Sequence, residues 1–249
     1  MKIKAVGTSG GKTIRNLLTT FLVDNTLALD CGSVCTGLTL SQQLEIKDVF
    51  VSHVHMDHIG ELPLLVDNKA LYGKTITIFA TQTTIRHLRE HVFNGIIWPD
   101  FEKIPSADEP ALIYRQVEYF EEVEVGDYRL TPLPVNHING SAGCFIQKGD
   151  VGFAYTSDTG ETDVIWEWLG KQTALKGLVT ECSFPADMEN LAVISHHLSS
   201  PMLEGELTKL KSDADIFIYH LKPQFANRIR EEIKGLDVHI LTDGEEIVL

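Results

Sequence analysis

Short apolar or alternating runs open the chain. "KIKAVG", "LLTTFLV" and "TLALD" are bounded by Gly, Asn and Asp, the pattern of strands separated by turns. "GLTLSQQLE" reads as a helix, and the β-branched and aromatic run "DVFVS" as a buried strand. "IGELPLLVDNKALYG" reads as helical, "TITIFA" as a strand, and "TQTTIRHLREHVFNG" as a helix closed by Gly95. The Pro-punctuated stretch "IIWPDFEKIPSADEPALIY" carries neither period and predicts a long, mostly irregular connection. In the second half, "YRLTPLPVNH" predicts a strand running into His137, and "GCFIQ" and "VGFAYTSD" a hairpin around "KGD". Helices are expected near 163–169, 201–210 and 224–234, and strands at "GLVTEC", "DIFIYH" and "VHILT". Strands alternating with helices predict a layered α/β protein, whose site gathers at strand ends.

Length and composition narrow this picture. The 249 residues suit one domain, 1–249, or two packed halves sharing a core. With 43% hydrophobic and 22% charged residues, the balance is that of a soluble globular chain. No apolar run is long enough to cross a bilayer, so no membrane partner is expected. "MKIKAVGTSG" lacks the apolar core of a signal peptide, which makes the cytoplasm the expected location. The formal charge of −14 argues against general nucleic-acid binding, which needs a positive surface facing phosphates. Cys31, Cys35, Cys144 and Cys182 are scattered, and "CGSVC" has the wrong spacing for a C-x-x-C motif; all four read as reduced thiols.

Two motifs imitate chemistry. "GTSGGKT" (7–13) falls one residue short of a phosphate-binding P-loop, and the "IRNLLTT" after it reads as strand, not helix; a glycine turn is the better reading. "HLREH" (87–91) fits a zinc-peptidase pattern, but no third ligand is marked, and Ile85, Leu88 and Val92 make it an amphipathic helix with a solvated His87/His91 face. His239 in "DVHIL" reads as structural.

"VSHVHMDHIG" (51–60) is different in density. His53, His55 and Asp57 share one side of an extended segment by period two, and a bend can bring His58 to the same cavity. Imidazoles and a carboxylate suit zinc, and also manganese or iron. Four donors within six positions cannot easily surround one point. Splitting them as His53 with His55, and Asp57 with His58, relieves this and calls for further ligands on each of two divalent ions. His137, Asp158 and His220 each end an expected strand and supply the missing chemistry. His137 would complete the first ion, His220 the second, and Asp158 would bridge them.

"SHVHMDHIG" resembles the H-x-H-x-D-H motif of the metallo-β-lactamase superfamily, and His137, Asp158 and His220 follow in the order of its later ligands. "LALDCGS" resembles the strand end that precedes that motif, which makes Asp30 a structural residue near the site. The resemblance implies a four-layer αββα sandwich carrying a dinuclear site. More narrowly, "IIWPDF", "TECSFP", "HHLSSPMLEGEL" and "IYHLKP" are similar to class II cyclic-nucleotide phosphodiesterases, with "HLSS" where that group usually has "HLTP" and "DCGS" for its "DAGS".

The resemblance implies hydrolysis of a 3′,5′-cyclic nucleotide, cyclic AMP or also cyclic GMP, to the 5′-monophosphate by a hydroxide activated between two metal ions. Asp57 is then a catalytic as well as a ligating residue. His197 would protonate the leaving oxygen, the alternative being a surface histidine before a helix. His196 beside it would face elsewhere and serve the surrounding structure. Trp98 and Phe101 would form one wall for a base, or simply pack a loop on the core. The implied partners are a small-molecule phosphodiester and at most a second copy of the chain. The competing readings are a ribonuclease Z-like transfer-RNA 3′-endonuclease, a thioesterase or a lactonase on the same fold, or a metal-bearing nucleotide-binding protein that does not cleave. Ribonuclease Z proteins are similar in ligand pattern, but the basic arm they carry for transfer RNA has no counterpart in this sequence.

Overall fold

The computed structural model describes residues 1–249. Its first strands are β1 (Lys2–Gly7), β2 (Thr20–Val23), β3 (Leu27–Leu29), β4 (Asp48–Phe50), β5 (Ile76–Ala80) and β6 (Leu112–Gln116). They are followed by β7 (Val123–Val125), β8 (Tyr128–Pro134), β9 (Ala142–Lys148), β10 (Val151–Tyr155), β11 (Leu175–Glu181), β12 (Asp215–Tyr219), β13 (His239–Ile240) and β14 (Glu246–Val248). Two seven-stranded sheets result, in the orders β14-β1-β2-β3-β4-β5-β6 and β13-β12-β11-β10-β9-β8-β7. The chain completes most of one sheet before starting the other. Then β14 returns to pair antiparallel with β1, so the first sheet is finished only by the C-terminal residues.

Period two decides which side chain enters which layer. Ile3, Ala5, Phe21, Leu27, Leu29, Phe50 and Phe79 of the first sheet meet Leu130, Ile146, Phe153, Tyr155, Val179 and Tyr219 of the second in one buried cluster. Their alternates Leu22, Ala28, Val49 and Ile78 point outward, onto the helices Leu62–Ala70 and Gln82–His91, through Leu62, Leu65, Val66, Ile85 and Leu88. On the second sheet, Phe145, Ala154 and Leu178 turn out onto the helix Val164–Leu169. Ile218 meets the helices Glu189–Ser195, Ser200–Leu207 and Ala226–Glu232. The order of layers is therefore helix, sheet, sheet, helix.

Several boundaries differ from expectation for local reasons. The helix expected from Gly37 starts at Leu40, where Thr39 and Gln42 form a reciprocal capping box. The strand expected to reach His137 stops at Pro134, leaving the histidine on the following loop. "VHILT" pairs over only His239–Ile240. The helix Glu189–Ser195 had no amphipathic signature, because Leu191, Val193 and Ile194 face solvent. Strands β7 and β14 are too short to show a period.

Within the first sheet β3 to β6 run parallel, and so do β10 to β13 in the second. Parallel pairing brings their C-terminal ends to a common edge. The polar residues following β3, β4, β8, β10, β11 and β12 come together there.

Candidate active site

Residues 51–54 continue from β4 in extended form, and His55 then starts a single helical turn, Met56–Ile59. That turn carries Asp57 and His58 into a second donor group, with the His53 and His58 rings 4.2 Å apart. It lies so close to Gly32 that a Cβ there would fall 2.0 Å from the Asp57 carbonyl oxygen. The Cys31 amide donates to the His58 carbonyl at 2.6 Å and fastens the turn to the end of β3.

Four overlapping groups of ligand atoms form, the atoms of each no more than 4.8 Å apart: His53, His55 and His137; Asp57, His58, Asp158 and His220; His137, Asp158 and His197; and Glu181, His197 and His220. The first two share no residue and take up all the expected ligands. Asp158 stands between them. Its Oδ2 is 3.1 Å from His58 Nε2, 3.4 Å from His220 Nε2 and 4.0 Å from His53 Nε2.

The outer nitrogens of these histidines define their tautomers. Asp30, held at φ 57°, accepts from the Ser52 amide and hydroxyl, the Tyr155 hydroxyl and His58 Nδ1–H, the last at 2.7 Å. With its proton on Asp30, Ser52 Oγ accepts from His53 Nδ1–H at 3.0 Å. His137 Nδ1–H donates to the His196 carbonyl at 3.0 Å. Ser183 Oγ donates to Glu181 and accepts from His220 Nδ1–H at 2.9 Å. His53, His137 and His220 therefore each present a bare Nε2 lone pair inward, while His58 lies between two carboxylates, Asp30 on Nδ1 and Asp158 on Nε2. His53 Nε2 is buried with no hydrogen-bond partner at all. His137 Nε2 faces His55 Nδ1 at 3.1 Å, and His220 Nε2 faces the Asp57 carboxylate at 3.2 Å. Acceptors turned on acceptors inside a protein ask for a cation between them. The donor set fits a divalent metal.

Ionisation follows the same logic. Burial pushes the His53 imidazole well below the ordinary histidine range, with the His58 charge adding to it. Burial also lowers His55, and lowers His137 to about 4 despite the pull of Asp158. Burial raises the carboxyls of Asp57 and Asp158, but surrounding imidazoles outweigh it and hold both below the usual range. Neutral imidazoles and ionised carboxylates are the forms that bind metals. His58 alone is lifted well above the ordinary range, against the effect of burial, by Asp158 and Asp30 on its two sides.

His197 lies against this cluster. Its ring stacks on His220 with centroids 5.3 Å apart and lies 5.0 Å from His137. Its Nδ1–H donates to Glu181 Oε1 at 2.6 Å. Burial lowers this imidazole, but the Glu181 charge and hydrogen bond, with Asp158, raise it overall. Glu181 is fully buried at the end of β11, and its oxygens also take the Thr159 amide, the Ser183 hydroxyl and the Leu198 amide. It is saturated in this orientation and holds His197 through Nδ1. "TECSFP" carries part of the family resemblance, but no role for Glu181 itself follows from the sequence. His196 faces away and bonds Asn136, while its carbonyl orients His137.

A family model described as Anti-Pycsar protein Apyc1 matches residues 1–231. The chain belongs to this family. Among curated relatives, a probable 3′,5′-cyclic-nucleotide phosphodiesterase of Yersinia pestis is 28% identical over 99% of this chain and 84% of its own length. Among solved structures, unliganded yeast PDE1 superposes with a TM-score of 0.83 at 20% identity, over 100% of this chain and 99% of that one. The metallo-β-lactamase fold protein YhfI from Bacillus subtilis gives 0.79 at 19% identity, over 99% and 98%. The fold of this family member is thus the metallo-β-lactamase fold, the αββα sandwich expected from its sequence.

The remaining sequence candidates part company with the site. Phe101 is 3% exposed inside the outer core of the first sheet, 6.5 Å from the Phe93 ring, and has no face to offer a base. This corrects its assignment as a substrate wall: the irregular stretch folds its aromatic residues inward. Trp98 is half-buried against the same cluster. His87 and His91 have ring centroids 5.9 Å apart with no third donor gathered beside them.

"GTSGGKT" has neither helix nor phosphate geometry, yet it touches the site. A Cβ on Gly10 would lie 2.8 Å from His220 Nδ1, 2.9 Å from its Cε1 and 2.5 Å from its carbonyl oxygen. Gly10 is the floor on which the His220 ring rests. Gly10→Ala is expected to tilt that ring and weaken metal binding about 10–100-fold, the usual cost of disturbing a ligand's support. Titration of metal-stripped protein with zinc checks this; unchanged affinity would remove Gly10 from the site.

Proposed function

We propose that this protein is a metal-dependent phosphodiesterase that hydrolyses 3′,5′-cyclic nucleotides to 5′-monophosphates, with cyclic AMP and cyclic GMP as first substrates. The observation that carries the reading is the Glu181–His197 pair set beside a ligand cluster centred on Asp158. A proton donor next to paired metal sites is what expulsion of an alkoxide from a phosphodiester requires. The Yersinia pestis relative, named for this reaction, supports the substrate class.

In this reading His53, His55 and His137 would hold one divalent ion and Asp57, His58 and His220 a second, with Asp158 within reach of both groups. Mixed nitrogen and oxygen donors suit zinc, with manganese or iron as alternatives. Bound ions there supply Lewis acidity toward phosphoryl oxygens and lower the pKa of a coordinated water to about 7. The chain's own residues do the rest. Asp30, Ser52, Ser183 and the His196 carbonyl lock the ligand rings. Glu181 takes Nδ1–H of His197 and leaves Nε2 to act. As the new P–O bond forms and the P–O3′ bond breaks, His197 Nε2–H delivers its proton to O3′.

The test is a hydrolysis screen of purified protein whose metal content has been measured. It should contain cyclic nucleotides of all four bases, bis(4-nitrophenyl) phosphate, a short transfer-RNA precursor, a thioester and a lactone. Release of a 5′-monophosphate, abolished by a chelator and restored by metal, is expected. No turnover of any cyclic nucleotide by fully metallated protein overturns the reading. Tight binding of intact cyclic nucleotide would then favour a sensor, and cleavage of another substrate a different hydrolase.

A further inference from the structure

The glycine loop and the segment after β12 build something the metal ligands alone do not explain. The Gly10 amide and Ser9 hydroxyl both donate to the Leu221 carbonyl, at 3.3 Å each. Gly11 packs so closely on Pro223 that a Cβ would sit 2.9 Å from its Cδ. Lys222 Nζ donates to the Gly10 carbonyl at 3.1 Å and lies 5.7 Å from the centre of the Phe184 ring. Phe184 in turn sits 6.0 Å from the His197 ring, which stacks on His220. The ammonium is thus fixed at the rim of the cluster, on the side of His197 and His220, and its charge is felt at His197.

An ammonium has three donors, and the structure uses one of them. Its one hydrogen-bond partner is that carbonyl, not a carboxylate. Lys12 is at the tip of the same loop; its Nζ donates to Ser33 Oγ at 3.3 Å, beside the Asp30–Gly32 segment that supports His58 and Asp57. Both lysines are thus anchored on segments that carry site residues, Lys222 on the loop under His220 and Lys12 on the segment after Asp30.

We propose that Lys222, assisted by Lys12 on the glycine loop, is the anion-receiving rim of this site: it binds the phosphodiester of the substrate and holds the phosphate of the product. The proposal rests on the phosphodiesterase reading for its substrate, but its anion-binding core can be tested apart from that reading. Lys222 is a substrate-positioning residue and the Gly10 carbonyl is its mount. The contact exists before and during reaction, so it acts on binding more than on the chemical step.

The experiment compares metal-loaded wild type with Lys222→Met, Lys222→Arg and Lys12→Met. Inorganic phosphate and 5′-AMP are titrated calorimetrically, and KM and kcat are measured on the best cyclic nucleotide of the screen. Lys222→Met is expected to weaken phosphate and 5′-AMP binding and to raise KM about 10–100-fold, with kcat within about threefold, as for the loss of a charge-assisted hydrogen bond. Its KM should also depend less on salt. Lys222→Arg should recover most of the binding, and Lys12→Met should show a smaller loss of the same kind. Unchanged phosphate binding in Lys222→Met overturns the proposal even if cyclic nucleotides are cleaved. A loss of bound metal or thermal stability equal in Lys222→Met and Lys222→Arg also overturns it, by making the lysine a strut. If wild type cleaves no cyclic nucleotide but Lys222→Met still loses phosphate affinity, the function falls and the anion rim stands.

Discussion

Asp158→Ala is expected to lower kcat/KM on a cyclic nucleotide by roughly four orders of magnitude or more, as removal of one member of an interdependent catalytic set does. The carboxylate is 1% exposed and has His58 and His220 nitrogens at 3.1 and 3.4 Å, with Tyr219 donating to its other oxygen at 3.3 Å. It is the one acid positioned to serve both ligand groups. Its loss should reduce the metal bound per chain as well as turnover. The fold should persist, because two seven-stranded sheets carry the core and His58 keeps Asp30 as its partner on Nδ1. Asp158→Asn separates charge from shape: the amide fills the same space but carries no negative charge, and activity should fall nearly as far. Metal analysis, circular dichroism and steady-state rates on the three proteins check this. Full activity in Asp158→Asn would contradict a metal-bridging carboxylate.

What the sequence makes legible here depends on whether a residue's environment is local. The strands around the central core could be read because alternation is local: Phe21 and Leu22, or Leu29 and Ala28, enter different layers by period two alone. His53, His55, Asp57 and His58 stood out by density within six positions. His137, Asp158 and His220 could be named from their type and their place after strands, but their meeting depends on parallel pairing across two sheets. Glu181 was not legible. Its meaning comes from β11 lying inside the sheet and from residues 197–198 folding over it, neither of which leaves a trace in "GLVTEC". The same holds for Gly10, whose role is to lack a side chain where His220 needs room. For Phe101 the sequence left a base wall and core packing both open, because an irregular stretch has no period to tell them apart; its burial fits the core.

His197→Ala should separate proton delivery from metal binding. Its Nδ1 is engaged by Glu181 at 2.6 Å and lies 3.9 Å from Asp158, and it belongs to neither the His53–His55–His137 group nor the Asp57–His58–Asp158–His220 group, so these two keep all their donors when it is removed. On a cyclic nucleotide, where O3′ is a strongly basic leaving oxygen, kcat is expected to fall about 10²–10⁴-fold, the usual contribution of a positioned acid. On bis(4-nitrophenyl) phosphate the loss should be below about tenfold by the same argument, because nitrophenolate departs without a proton. Glu181→Gln should fall between wild type and His197→Ala on the cyclic substrate, since the amide can still occupy the site but no longer fixes the imidazole as a carboxylate does. The ratio of the two activities is the decisive quantity. If His197→Ala loses both equally, the residue serves binding or ligand support rather than acid catalysis, and the Glu181–His197 pair no longer carries the functional reading. If the cyclic substrate suffers selectively at constant metal content, the pair delivers the proton, and a buried glutamate behind a histidine becomes the feature that turns a generic metal cluster into a phosphodiesterase.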